Sequence, residues 1–450
     1  MIGCLQISRL TKREKSMSEE KSDIKTIGLW GLVFTITGFV VGVSIFILPA
    51  ELIGISGPAV LLAYAIAGGM AVVTCFATAQ LGTLMPTEGG TFIAISRLLS
   101  PFLGFIAVWV LLWSVVLVNS FIGYGFANYI VYFLPGLDKT LAAASIILLF
   151  GLINIVGSSL VVKVQGAMVI FFLIMLSIFI IAGLPRFEVE NLSPFMPNGA
   201  MSVFMAASIG YFSFAGFISL IEFGGEIKKP SRTIPLGLAI SFVLVLGSYG
   251  GVSLILSGID TGVPFAEMET PVLEVATNFL PEWIIIALVI SIIAAAATTV
   301  NGLILGYSRD ILVIAEAKIF PTFLAQKTKK FNTPANAIIA YTLLSVLVVL
   351  LGSGVEQYAL VAVIGLLLQQ LFIAVSLFRV PRVMKQEYNE AEFKLPRPVI
   401  IIVSLLLFLI SAAFIIMHIF NNPIIGVLIL GVLTLGSLIY LISKKVGFND

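Results

Sequence analysis

The stretch GFVVGVSIFILP, Gly38 to Pro49, lies inside the first long apolar run of the chain. Two glycines, a serine and a proline weaken a helix that has to cross hydrocarbon. Every backbone N–H and C=O there must be satisfied internally, so a weakened helix is tolerated only where it is buried in protein or lines a watery cavity. The break therefore points to a site. It also makes this a membrane protein with a built interior rather than a bundle of plain anchors.

The rest of the sequence agrees with that class. Hydrophobic residues make up 59%, charged residues 11%, and the mean hydropathy is +1.13, far from the roughly 25% charged content of a soluble domain. Cys4 and Cys75 are far apart, and the second falls within an apolar run, so neither a disulfide framework nor a cysteine metal site is expected. A net charge of +2 gives no case for a nucleic-acid partner; the expected partners are membrane lipid and a small molecule. The first 26 residues are polar and charged, unlike a cleaved signal peptide. They are expected to form a cytosolic tail, with Met17 as a natural start.

A transmembrane helix needs about 20 mainly apolar residues. Twelve segments qualify: 27–48, 58–84, 101–133, 139–161, 164–184, 200–224, 234–257, 283–307, 334–352, 358–380, 398–418 and 423–443. Lys and Arg favour cytoplasmic loops. With the N-terminus inside, the inner side receives the tail, Arg97, Lys163, Lys228, Lys229, Arg232, Lys327, Lys329, Lys330, the Arg379 to Arg397 loop, and Lys444 and Lys445. Only Lys139 and Arg186 fall outside, and the outer loop 258–282 is acidic without a basic residue. Both termini are thus expected in the cytoplasm, with the chain multi-pass in the cell membrane.

Transporters often repeat a helix set in inverted topology, with the site where the repeats meet. Spans one to five (27–184) correspond to spans six to ten (200–380), followed by a last pair (398–443) and a short cytosolic end (444–450). The first helix of each set is interrupted, by Gly42 and Ser44 in one and by Gly216 and Gly224-Gly225 in the other. Several motifs then resemble the amino acid-polyamine-organocation superfamily of transporters. They are GVSIF followed by Leu48-Pro49; Gly57-Pro58; Met85-Pro86-Thr-Glu-Gly-Gly-Thr-Phe92; Phe214-Ala-Gly-Phe217 through Glu226-Ile-Lys-Lys-Pro230 to Ile234-Pro235; Ser308-Arg309; and Ala317 to Pro321. Ser44 replaces the usual last glycine of the first motif, and Lys229 stands where Asn is usual. The resemblance implies an all-α membrane fold of twelve helices in a five-plus-five inverted repeat, working by alternating access.

On that resemblance the opening question has a chemical answer. A helix restarting after Gly42, Val43 and Ser44 presents free N–H groups and a positive dipole end, which suit a carboxylate. Carbonyls at Val40, Phe212 and Ala215 would take an ammonium, with Phe214 and Gly216 completing the contacts. Small residues at such a break also serve simply to let membrane helices pack. The resemblance further implies Phe212 as an aromatic lid and Glu226 as an acidic residue closing the inner path beside Lys228, Lys229 and Arg232. Glu222, an ionisable group inside a span, is a functional candidate by default. A solvated charged loop is the plain alternative for Glu226, and the same holds for Glu88 and Arg97. Asn119 and Asn301 are expected in interhelical hydrogen bonds, and His418, the only histidine, lies beyond the repeats.

By resemblance to sodium-coupled relatives, Gly38, Val41, Thr298 and Thr299 would supply oxygen ligands to Na+, a hard cation. The only lysine of the fifth span, Lys163, sits at its start, so no ammonium is expected in that space; proton coupling or exchange remains the alternative. No other cofactor is expected, as no Walker motif occurs. A membrane-embedded enzyme would need clustered His, Asp or Glu in the spans, and a channel would need rings of charge or filter segments; neither pattern is visible. The apolar candidate pocket residues Ala215, Phe217 and Leu303 favour a neutral or hydrophobic amino acid, with polyamines or cationic amino acids as the alternative substrate class.

Overall fold

The computed structural model describes residues 27–87, 89–156, 159–222, 225, 227–259, 264–265, 268–352 and 355–446. Glu88, Gly224, Glu226 and the N-terminal tail, with Cys4 and Met17, lie outside the described residues. Among the described residues the architecture is entirely helical; the one β feature is an isolated bridge between Ile27 and Ile227. Ten helical segments are long and apolar enough to cross a membrane, and two further apolar helices are shorter.

The first short helix is α1 (Leu29–Val41), which ends because Gly42 adopts φ 47° and ψ −156°. A 3-10 turn, Val43–Phe46, follows, and the chain resumes as α2 (Leu48–Ser56), with Pro49 in its first turn. Proline suits a helix start because its missing N–H would have had no intrahelical partner there. At Gly57 (φ 65°) and Pro58 the chain doubles back, so that Leu52 before the turn and Tyr64 after it both lie against Gly210, and it continues as α3 (Val60–Leu84). Next come α4 (Gly90–Leu98), α5 (Pro101–Ile130), α6 (Lys139–Val156) and α7 (Ser159–Gly183). The Ser100 side chain caps α5 by accepting the Leu103 N–H at 3.2 Å, as a first-turn donor requires.

The second interrupted segment begins as α8 (Gly199–Gly210) and tightens into a 3-10 run, Tyr211–Glu222. The remaining helices are α9 (Pro230–Gly258), α10 (Pro271–Ala276), α11 (Glu282–Glu316), α12 (Ala335–Leu351), α13 (Val355–Val383), α14 (Lys385–Glu390), α15 (Arg397–Asn421) and α16 (Ile424–Val446). Of these, α12 is the other short apolar helix.

The interior is built from α1, the 3-10 run, α5 and α11, most of whose side chains are buried. α3 and α9 flank the two interrupted segments, while α13 packs between α5 and α15. The outer helices present apolar surface, including Leu405 and Leu409 on α15 and Leu428, Leu430 and Leu441 on α16. Apolar surface on that scale belongs against lipid. The chain is a multi-span membrane protein.

Candidate functional site

The break in α1 is fixed by contact as well as by backbone angle. A Cβ built on Gly42 would lie 2.3 Å from Thr299 Oγ1 on α11, and a positive φ with extended ψ is a region that only glycine occupies readily. Glycine is therefore required twice over. Past the break, the Ser44 hydroxyl donates to the Val41 carbonyl at 2.9 Å and lies 2.7 Å from the Tyr249 hydroxyl on α9. Tyr249 also donates to Val41 O at 3.2 Å. The polar groups exposed by unwinding are thus partly tied to α9.

The other wall is the 3-10 run. At three residues per turn, side chains at i and i+3 lie one above the other. Phe212 and Ala215 share one face and line a cavity; Phe214 and Phe217 share another and stack with ring centroids 6.5 Å apart. Gly216 abuts α1, since a Cβ there would stand 2.6 Å from Phe39 Cδ1 and 3.2 Å from the Val40 Cα. The two interrupted segments therefore touch backbone to backbone.

A cavity lies between them. From α1 and its break come Phe39, Val40 and Ser44; from the 3-10 run, Phe212, Ala215 and Gly216; from α11, Thr299, Leu303 and Tyr307. Val115, Val118 and Ile122 on α5 and Leu366 on α13 close it. Phe212 also meets Phe121 of α5 edge to face, with centroids 5.5 Å apart. Most of the wall is apolar, and the polar atoms are the Ser44, Thr299 and Tyr307 hydroxyls and the backbone, a composition that suits a small ligand with an apolar body.

Of the residues expected to contact a ligand, Val40, Ser44, Phe212, Ala215 and Gly216 line this cavity. Gly42, Val43 and Phe214 do not. Val43 packs on Gly125 of α5, whose Cβ would fall 2.6 Å from Val43 Cγ1. Phe214 joins Tyr64, Phe242 and Tyr249 in an aromatic cluster between α3 and α9. Tyr307 and the valine-rich face of α5 were not anticipated; a tyrosine directly before the Ser308-Arg309 pair was the available signal.

The expected cation ligands come only partly together. Thr298 and Thr299 donate to the Gly38 carbonyl at 3.3 and 3.0 Å, and also to Ala295 O at 2.8 and 3.3 Å. The Val41 carbonyl is instead taken by Ser44 and Tyr249. Beside Gly38 lies Gln165 of α7, whose Nε2 would be 3.6 Å from a Cβ on that glycine and has no hydrogen-bond partner among the described residues. Its Oε1 receives Asn301 Nδ2 at 3.5 Å, and Asn301 Oδ1 accepts from Asn154 at 2.9 Å. A ladder of amides thus runs from α6 through α11 to α7, ending next to the threonines. Gln165, the second residue of the fifth expected span, was the polar group there that sequence reading passed over.

Other polar residues are structural links. Asn119 donates to Ser345 Oγ at 3.1 Å, joining α5 to α12. His418 lies 2.8 Å from the Ser208 hydroxyl and ties α15 to α8. Arg97 pairs with Glu387, and Lys139 with Glu269 at 2.6 Å. Lys228 N–H donates to Ile27 O at 2.9 Å, joining the chain before α1 to the chain after the 3-10 run. Lys229, at φ 46°, caps α9 in a left-handed conformation, which accounts for the family's preference for Asn, a residue that tolerates such angles. Glu222 is buried, with the Thr91 N–H pointing at its Oε2 from 3.5 Å.

Comparison with known proteins identifies the family. The family model for amino acid permeases matches residues 27–437. The branched-chain amino acid permease BcaP of Bacillus subtilis is 24% identical over 399 residues, covering 84% of this chain and 85% of the relative. The methylthioribose transporter of the same organism is 26% identical, over 71% of this chain and 73% of its own. Cationic amino acid transporter 1 of Arabidopsis thaliana is 27% identical over 70% of this chain, which spans just over half, 56%, of that relative. With a match that runs from the start of α1 into α16, the chain belongs to the amino acid permease family of the amino acid-polyamine-organocation transporters.

Proposed function

We propose that this permease carries amino acids with neutral, apolar side chains across the cell membrane by alternating access. The observation that carries the reading is the cavity at the junction of the two interrupted segments, with an apolar wall of Val115, Val118, Ile122, Leu303 and Leu366. The substrate carboxylate sits at the N–H groups after Gly42, and carbonyls of α1 and the 3-10 run take its ammonium. Phe212 covers it. This chemistry is also in keeping with a relative that is a branched-chain amino acid permease. The reading includes twelve spans in a five-plus-five inverted repeat, with α1 and α12 added to the ten longer segments, and places the Lys228 face in the cytoplasm.

Sodium is the proposed driving ion, held by Gly38 O and the Thr298 and Thr299 hydroxyls; this donor set needs the Val41 carbonyl to leave Ser44 and Tyr249, or another oxygen to replace it. Counter-flow by the purified, reconstituted protein, screened against all amino acids, polyamines and methylthioribose, tests the substrate class. Exchange of leucine, isoleucine or valine is the expected result, and exchange confined to lysine, arginine or polyamines would reject it. Uptake with an imposed sodium gradient, compared with potassium or choline, tests the ion.

A further inference from the structure

The apolar end of the cavity has two walls that are held in different ways. Val115, Val118 and Ile122 stand on α5, spaced three and four residues apart so that they share one helix face. The same stretch of α5 is tied to α12. Tyr341 donates to Val115 O at 2.9 Å, Asn119 to Ser345 Oγ at 3.1 Å, Ser120 to Ser345 O at 3.1 Å and Tyr124 to Val349 O at 2.8 Å. Earlier in α5, Trp109 donates to Val432 O of α16 at 2.8 Å and packs on Gly436. This wall is therefore fixed to two neighbouring helices.

The other wall is Leu366 of α13, whose place is set by the residue before it. A Cβ built on Gly365 would overlap Ser114 Oγ, and it would stand 3.1 Å from Ser114 Cβ and 3.2 Å from the Val110 carbonyl oxygen. Ser114 has little room to yield, since it is buried and its hydroxyl donates to Val110 O at 3.0 Å. The α13 backbone thus lies against α5 with no side chain of its own between them, an approach that small residues permit in membrane helix pairs. One turn on, Gln370 Nε2 donates to the Tyr211 hydroxyl at 2.9 Å, which ties α13 to the start of the 3-10 run. Neither Gly365 nor Ser114 lines the cavity, but each directly precedes a residue that does.

We propose that the crossing of Gly365 on Ser114 sets the width of the apolar end of the cavity, and with it the largest side chain that the permease accepts. The gap it leaves between Leu366 and the valines suits aliphatic side chains up to the size of leucine and keeps out aromatic rings. One methyl added at residue 365 drives α13 from the pinned α5 wall, carries Leu366 with it and opens the site to larger side chains. Gly365 and Ser114 are positioning residues, acting on the substrate only through Leu366 and Val115.

This rests on the apolar-substrate reading above, and counter-flow by the purified, reconstituted full-length protein separates the two. Wild type should exchange leucine well ahead of phenylalanine. Gly365→Ala should shift the ratio of their kcat/KM values toward phenylalanine by roughly tenfold, the scale on which an apolar pocket discriminates one methylene. Gly365→Ala combined with Ser114→Gly, which removes the obstructing side chain, should restore the wild-type ratio. Leu366→Ala should admit phenylalanine without moving a helix. Ser114→Val wedges the same crossing from the α5 side and replaces Gly365→Ala in the test where that variant does not fold. General damage to the fold lowers both rates and leaves their ratio alone. A ratio unchanged in the wedged variant or in Leu366→Ala, or one that the double variant fails to restore, overturns the proposal while leucine transport stands. So does a wild type that exchanges phenylalanine as readily as leucine. A wild type that exchanges no neutral amino acid overturns the apolar-substrate reading and this one with it.

Discussion

The two interrupted segments expose backbone by different means. α1 stops abruptly at one glycine with a positive φ and restarts after a single 3-10 turn. The segment after α8 never adopts a positive φ over Tyr211–Glu222; it narrows into twelve residues of 3-10 helix, far beyond the three or four residues usual for that form. The first device depends on one residue without a side chain. The second leaves side chains in place, re-aims them in threes, and so can carry the aromatic residues that surround the cavity. An abrupt break presents helix ends to a ligand, whereas a tightened run offers a surface that can re-lengthen.

The largest expected effect tests the first device. Gly42→Leu meets Thr299 and occupies a backbone region that costs other residues about 1–3 kcal/mol; uptake should fall to background while the protein still inserts. Gly42→Ala should also lose more uptake than Gly216→Ala, because Gly216 has no positive φ and its added methyl meets mainly the Phe39 ring and the Val40 side chain. Equal losses would erase the distinction between the two breaks.

Next come the faces of the 3-10 run. Phe212→Ala removes a cavity wall and an edge-to-face pair with Phe121, such pairs contributing about 0.5–1.5 kcal/mol; the substrate KM should rise by up to about tenfold. Phe214→Leu should lower thermal stability and leave KM unchanged, because that ring belongs to the cluster between α3 and α9. A KM change at Phe214 as large as at Phe212 would mean that the run rotates during transport.

Thr299→Ala deletes a hydrogen bond to Gly38 O of about 1 kcal/mol. It should abolish any stimulation of uptake by sodium while retaining protein in the membrane. Sodium-independent uptake that ignores this change rejects the cation reading. The smallest effect concerns the exit from the second segment, where Lys229 holds a φ of 46°. Lys229→Asn relieves part of a strain of about 1–2 kcal/mol, so Tm should rise modestly and uptake should be unchanged.

The sequence by itself determined the membrane class and the position of the break at Gly42. These are local consequences: apolar length decides what enters a bilayer, and helix weakness is encoded in the weakened residues themselves. Which side chains face the ligand was only half legible. A 3-10 helix turns each residue about 20° further than an α-helix, so by the third step from Tyr211 the faces have shifted by about 60°, and Phe214 points away from the cavity that Phe212 and Ala215 line. The partners of the Val41 carbonyl were not legible either, because Ser44 and Tyr249 meet there only when α9 crosses the break. Glu222 stood out in the sequence as an acid inside a span, and the structure buries it with the Thr91 N–H of α4 pointing at its carboxyl. That contact, like the amide ladder from Asn154 through Asn301 to Gln165, exists only in the tertiary structure, since packing between distant helices, rather than any local preference, decides which buried polar groups meet.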